Sequence, residues 1–348
     1  MQVRPLLLPA LRRLWRDEKT LQLGVDPARA VVLSDVNEST AAVLALLDGQ
    51  HTVADITRQV AAQGVSAATV SELLRLLAQC GAVVDGEPAA GLPRRLPTAA
   101  RRRLGPDLAV LSLSTGQQAG TVLARRSRRA VVVHARGRIG PAIAALLASS
   151  GVGRVSVAGT GIVQGGDACA GGLLPTDEHR PYAVAAADAI RRAAPEVDTR
   201  PLRRQPDLVV LAGGLAAGPL SRTTRRVPHL PVMLRDGTAV IGPLVVPGYT
   251  ACLGCVELHR LDRDPVWPAL AAQLSTAPAG QPDPSHLAIT AAAAGIAAMQ
   301  VLCHLDGGEP EALGRSLELT GLGERVRRRT WKPHPRCDCG RTPLRPTA

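Results

Sequence analysis

The sequence predicts an α/β protein in two parts: a small winged helix-turn-helix, then a doubly wound, Rossmann-like sheet carrying a structural zinc site. Three observations predict it. Three short helical runs with glycine stops occupy residues 1–88, strands and helices alternate after residue 107, and two cysteine pairs stand at metal-knuckle spacing.

At 348 residues the chain can bury two independent cores, and with 46% apolar residues and no Phe these must be built from Leu, Val, Ala and Ile. Leu6-Leu7-Leu8 gives way at once to Arg12 and Arg13, so no secretory segment is read and a cytoplasmic protein is expected. The long apolar run Leu287 to Leu305 contains Thr290, Gln300, Cys303 and His304, and reads as a buried helix rather than a membrane span. Seven cysteines in a reducing compartment argue for metal or catalysis before disulfides. The formal charge of +12 expects an acidic partner, and charge alone does not choose between nucleic acid, a membrane surface and an acidic peptide.

In residues 1–88, β-like runs at Arg13 to Arg16, Thr20 to Gly24 and Arg29 to Leu33 are separated by Asp-containing turns. Helical spacing follows in Val43, Leu44, Leu46 and Leu47, in Val53, Ile56 and Val60, and in Val70, Leu73, Leu74 and Leu77. Gly49, Gly64 and Gly81 stand at the C-caps, and Thr52-Val-Ala-Asp55 writes a capping box. Residues 89–106, with Gly91-Leu-Pro-Arg-Arg-Leu-Pro97 and Arg101-Arg-Arg103, read as a solvated Pro/Arg-rich linker. The second domain is expected over 107–340, with a short tail at 341–348.

In that second domain, strands are expected at Ala130 to His134, Arg154 to Ala158, Asp207 to Ala212 and Pro231 to Leu234, with a helix over Pro141 to Ser150. Later hairpins are expected at Thr238 to Val246 and from Leu317 to Trp331. Cys252-Leu-Gly-Cys255 and Cys337-Asp-Cys339 offer four thiolates, an all-sulfur set suited to tetrahedral zinc and without an open catalytic position. The alternative is two unrelated buried pairs. Val131-Val-Val-His-Ala-Arg-Gly-Arg-Ile-Gly140 is a strand entering a helix through a glycine turn; Ala135 replaces the first glycine of a dinucleotide fingerprint, and Gly137 and Gly140 remain. No carboxylate follows the second strand, where Ala158 runs into Gly159-Thr-Gly161. Cys169, Cys303 and Cys80 have no base arranged beside them, although His304 adjoins Cys303, and read as small hydrophobes.

The order of strand, glycine turn, helix, CxxC and C-terminal cysteine pair resembles the ThiF-like, ubiquitin-activating-type adenylation proteins over most of Asp107 to Gly340. Active members carry an acid after the second strand, a downstream Arg and a metal-binding Asp. Here the corresponding stretches read Ala158-Gly-Thr-Gly161, Gly166-Asp-Ala-Cys-Ala-Gly-Gly172 and Leu211-Ala-Gly-Gly214, with Asp167 the only nearby acid. The resemblance therefore implies a degenerate scaffold with no catalytic residue and no use of ATP.

A small winged helix ahead of such a domain, with Cys252 to Pro268 and the closing Trp331-Lys-Pro-His-Pro-Arg-Cys-Asp-Cys-Gly340, resembles the leader-peptide-binding partners of azoline-forming YcaO cyclodehydratases, which begin with a PqqD-like recognition element. That resemblance implies capture of a ribosomal precursor's leader and its delivery to a separate YcaO enzyme that cyclises Cys, Ser or Thr. It implies an edge strand over Arg29, Ala30, Val31, Val32 and Leu33, and a groove wall from Val70, Leu73, Leu74, Arg75 and Leu77. Plain core packing is the alternative for the apolar members, and solvated surface for the two arginines. No nucleic-acid or membrane partner is implied, and a homodimer is compatible with the reading. The competing readings are an active adenylating enzyme acting on a peptide carboxylate and a winged-helix DNA-binding regulator. The regulator's recognition helix, Ala67 to Gln79, carries Glu72 and a single Arg, poor for phosphate contact. The basic runs at 125–129 and 325–329 are charge runs that could meet nucleic acid or an acidic partner face, with solvated surface as the default.

Overall fold

The computed structural model describes residues 3–86, 92, 96–116, 119–213, 225–275, 284–321 and 325–341. They form two compact units, Met1–Arg125 and Arg126–Ala348.

The first unit opens with β1 (Pro5–Leu7), β2 (Arg13–Trp15), β3 (Leu21–Leu23) and β4 (Val31–Leu33), then α1 (Glu38–Ala45), α2 (Val53–Ala61), α3 (Ala67–Gln79) and β5 (Val83–Asp85). Each helix starts where the chain supplies a capping oxygen. Asn37 accepts from Thr40 N–H, Thr52 and Asp55 close a reciprocal capping box, and Ser66 accepts from Thr69 N–H. Gly64 and Gly81, at φ 77° and 67°, take the left-handed turns after α2 and α3. Strands β2, β3 and β4 form an antiparallel sheet in that order, while β1 pairs with β5. Leu21 and Leu23 face inward with Leu44, Leu47, Ile56, Val60, Val70 and Leu77 to make this unit's core.

Where a solvated linker was expected, the unit continues as α4 (Thr98–Thr115) and α5 (Ala119–Arg126). Helix α4 follows Pro97 and runs without interruption through position 106, past the expected start of the second domain. The Pro and Arg content hid it. Arg, Ala and Leu are good helix formers, and Leu104 is buried with Leu92 and Leu123 in a small cluster of its own.

The second unit is built on a seven-stranded sheet with the order β12-β11-β10-β9-β8-β6-β7. Its strands are β6 (Ala130–Ala135), β7 (Arg154–Ala158), β8 (Leu208–Ala212), β9 (His229–Arg235), β10 (Thr238–Ile241), β11 (Arg315–Thr320) and β12 (Arg325–Thr330). Strands β7, β6, β8 and β9 are parallel. Strands β9 to β12 are antiparallel, so the chain expected to form separate hairpins extends one mixed sheet. Thr238 to Val246 is not itself a hairpin: β10 ends at Ile241 and pairs back onto β9 across the turn at Asp236-Gly237.

Helices α6 (Ile139–Ser149), α7 (Tyr182–Ala193) and α10 (Leu287–Leu305), the last preceded in the chain by α8 (Leu253–Arg263) and α9 (Trp267–Ser275), share a core with one face of this sheet: Val131, Val133, Val155, Leu208, Val210, Val232, Ile241 and Leu317. Helix α10 is long and apolar enough to cross a membrane, yet Ile289, Ala293, Ala297, Val301 and Leu305 bury one stripe of it in that core. A fully doubly wound sheet has helices on both faces. Here α7 leads to Asp198, which forms a single parallel bridge to Arg154 beside β7, and the return to β8 through Pro201 and Pro206 contains no helix. The second face is thus left with a cleft of about 710 Å³ floored by Val132, His134, Ser156 and Val209.

Candidate functional site

Cys252 is the N-cap of α8 (Leu253–Arg263), in extended conformation, and Cys255 follows on the first turn. This places two sulfurs 3.9 Å apart at a helix start. Cys337 and Cys339 approach from the C-terminal run, with Sγ–Sγ separations of 3.6 Å for Cys252–Cys337 and 3.4 Å for Cys255–Cys339. All four Sγ atoms lie within 4.8 Å of one another. A tetrahedron with metal–sulfur bonds of about 2.3 Å has edges of about 3.8 Å, so the set is shaped to hold one metal ion. A Cβ at Gly254 would sit 3.4 Å from Cys252 Sγ and 3.5 Å from Cys337 Sγ, in ordinary van der Waals contact with both.

The electrostatics agree with a ligand set that wants a cation. Burial, followed by the crowded sulfurs, pushes the Cys339 thiol far above its usual range, and burial raises Cys252. Burial also works to raise Cys255, but hydrogen bonds from His334 N–H and from Cys339 outweigh it and bring that thiol down. A bound dication would deprotonate all four.

The residues that dock the C-terminal run were not singled out as such by the sequence. His334 is buried, gives its backbone N–H to Cys255 Sγ at 3.3 Å, and places Nε2 2.7 Å from Asp262. Arg336 N–H donates to His334 Nδ1, which fixes Nε2 as the protonated nitrogen, and the Arg336 guanidinium also pairs with Asp262. His259 meets the backbone carbonyl of Lys332 at 2.9 Å and the ring of His334 edge-on. Trp331 is buried with Ala251, Cys255 and Val256, and donates its indole N–H to Ser316. His259 and Asp262 stand three residues apart on α8, where the sequence alone reads them as lining a helix at the surface or an interface. Asp264 stays local, accepting from Val266 N–H.

The turn between β6 and α6 is tight, as its glycines require. A Cβ on Gly140 would lie 2.2 Å from that of Ala135, so helix and strand touch through bare backbone. A side chain of the protein itself packs against this turn. Tyr182, at the start of α7, is buried and donates its hydroxyl to the carbonyl of Gly137 at 2.6 Å. Its ring lies so close to Gly159 that a Cβ there would be 2.6 Å away. Burial, then the charge of Asp167, drives the Tyr182 hydroxyl upward, so it remains a donor. Asp167 caps its own turn by accepting from Gln164 N–H. Cys169 is buried and its thiol raised by burial, with Arg138 acting in the other direction; Cys303 is raised by burial and by Asp306 and Glu309. Neither is activated as a nucleophile. Cys80 is exposed at the end of α3. Gly214 lies outside the described residues.

In the first unit, β4 pairs only with β3 among the described residues, leaving an open edge. Val31 and Leu33, in register with Leu23 and Leu21, turn toward the core, and Val32 turns outward at 45% exposure. Val31, Leu33, Leu73 and Leu74 are all half-buried against the same core cluster. Val70 and Leu77 are fully buried and belong to that core, with no surface to offer a ligand. Arg75 forms a two-pronged pair with Glu72 one turn away. Arg29 is exposed and Ala30 half-buried beside the strand.

No protein-family model matches the chain, and no curated protein matches it. Solved structures do. E. coli MccB with ATP superposes with TM-score 0.68 at 14% identity, covering 96% of this chain and 99% of that one. The microcin C7 biosynthetic enzyme MccB in complex with N-formylated MccA gives 0.67 at 13% identity, covering 97% and 99%. A heterocyclase in complex with substrate and cofactor gives 0.61 at 15% identity; it takes in 98% of this chain, which spans 40% of that protein. The likeness is one of fold, and it runs along nearly the whole length of this chain.

Proposed function

We propose that this protein captures the leader of a ribosomally made precursor peptide on its first unit, a winged-helix recognition element, and delivers the peptide to a separate YcaO cyclodehydratase. The observation that carries the reading is the open edge of β4 beside half-buried apolar side chains. An extended leader would add a strand along Arg29 to Leu33, seat apolar residues against Val31, Leu33, Leu73 and Leu74, and meet Arg29 or Arg75 with its carboxylates. The solved structures support a peptide ligand, since one MccB structure holds MccA and the heterocyclase holds its substrate. They also support a separate catalytic partner, because this chain corresponds to 40% of the heterocyclase.

The second unit then serves as scaffold, with zinc at Cys252, Cys255, Cys337 and Cys339 closing the C-terminal run onto α8. Tyr182 fastened to the β6–α6 turn, and the stretch Ala158-Gly-Thr-Gly161 without a carboxylate after β7, support a domain that does not turn over ATP. MccB with ATP favours the second reading, adenylation of a peptide carboxylate. Titrating the full chain with the leader encoded beside it, together with a pyrophosphate-exchange assay, separates the two. Saturable binding without exchange is expected; exchange with a candidate peptide would establish the second.

A further inference from the structure

Strand β12 ends the seven-stranded sheet, and among the described residues it pairs with β11 alone. Every second residue therefore turns its N–H and C=O away from the sheet. Its sequence is Arg-Val-Arg-Arg-Arg-Thr, and the register fixes what each face presents. Val326, Arg328 and Thr330 lie on the face of Leu319, Leu317 and Arg315; Arg327 and Arg329 lie on the face of Glu318 and Ser316. Arg328 is held by Glu311 at 3.1 Å. Arg329 lies 3.9 Å from Glu318 and over the Trp331 ring. Arg327 is exposed and makes no ion pair among the described residues.

The geometry points to β12 as a second docking edge, which receives an extended segment of a partner protein carrying acidic residues at alternate positions. Carboxylates two residues apart on an added strand fall on one face, about 7 Å apart, the spacing of Arg327 and Arg329. The intervening residues would lie beside Val326, which is 48% exposed. A second copy of this chain is the wrong occupant, because antiparallel pairing of two β12 strands sets arginine against arginine. Single-stranded nucleic acid needs aromatic faces for its bases, and Trp331, beside the strand, is buried. This edge belongs to the second unit and does not depend on the leader-binding reading.

The test uses the full-length protein and two synthetic peptides of equal composition, Gly-Glu-Val-Glu-Val-Glu-Gly and its clustered isomer Gly-Glu-Glu-Glu-Val-Val-Gly. Fluorescence anisotropy should show the alternating peptide binding about tenfold more tightly than the isomer, with hydrogen exchange slowed over residues 325–330. N-methylation of alternate residues, on whichever side pairs, should abolish that preference. Arg327→Gln, which leaves the local pairs of Arg328 and Arg329 in place, should weaken the alternating peptide several-fold. Equal binding of the two isomers, indifference to N-methylation, or an oligonucleotide of equal charge binding more tightly without protecting β12 would each overturn the assignment.

Discussion

The Tyr182 hydroxyl donates to the Gly137 carbonyl at 2.6 Å, fastening the start of α7 to the turn between β6 and α6. Replacing Tyr182 with Phe leaves a half-buried carbonyl without its partner and should cost about 1 kcal/mol, read as a lower urea midpoint. Gly159→Ala drives a methyl group into the Tyr182 ring and the Ala135 carbonyl, and should cost more, about 2 kcal/mol. If Gly159→Ala proved the milder change, the Tyr182 ring would not be packed against Gly159.

Metal removal tests the clasp. With four sulfurs gathered from residues more than eighty positions apart, binding of the ion is also folding of the C-terminal run. Chelation, or Cys337→Ser, should lower the melting temperature of the second unit and release the segment from Trp331 onward, while leader binding by the first unit persists. Asp262→Ala should weaken metal affinity about tenfold by freeing His334, which orients Cys255. Unchanged melting after complete chelation would refute the role.

Much of this was legible in the sequence, and the parts that were not share a cause. The capping box at Thr52, the glycine stops at Gly64 and Gly81, the parallel strands and the cysteine quartet follow from local chemistry, so sequence and structure agree on them, whereas α1 ends at Ala45, four residues before the expected stop at Gly49. Helix α4 was hidden because Pro97 and Pro106 read as punctuation although one precedes the helix and the other is carried within it. The joining of β9 to β12 into one sheet, and the docking of His334 on Asp262, are contacts between distant segments, and no periodicity encodes a partner 72 residues away. Val70 and Leu77 could not be told from groove residues for the same reason: on a helix with i, i+3 and i+4 apolar positions, only the neighbours decide which stripe is core.

Asp198 supplies a pH signature. It accepts from the Arg200 side chain and backbone, faces Arg154, and its carboxyl is held down at about 2. A depressed folded value means the stabilisation is present above the unfolded pKa near 4 and is lost as pH falls through about 2. The carboxylate is partly accessible to solvent, so screening limits the contribution to about 1 kcal/mol. Asp198→Asn should therefore lose that much at pH 7 and converge with the parent protein by pH 2. A loss of the same size at both pH values would mean that it does not come from the charge of the Asp198 carboxylate.

The open edge of β4 separates stability from binding. Leu77 is fully buried, and Leu77→Ala should cost about 3 kcal/mol with loss of the first unit's cooperative unfolding. Leu73 lies half-buried at the margin of the same cluster, so Leu73→Ala should cost about 1 kcal/mol or less. If a leader seats an apolar side chain there, the same substitution should weaken its binding about tenfold, since burying most of a leucine is worth more than that factor. Arg75→Gln removes the exposed pair with Glu72, which is worth little to stability in water, and should reduce affinity only for leaders with a carboxylate in reach. Isothermal titration of the three variants against one leader peptide resolves these effects. Leader affinity that tracks unfolding midpoint across all three, rather than following Leu73, would mean that the peptide does not use this edge.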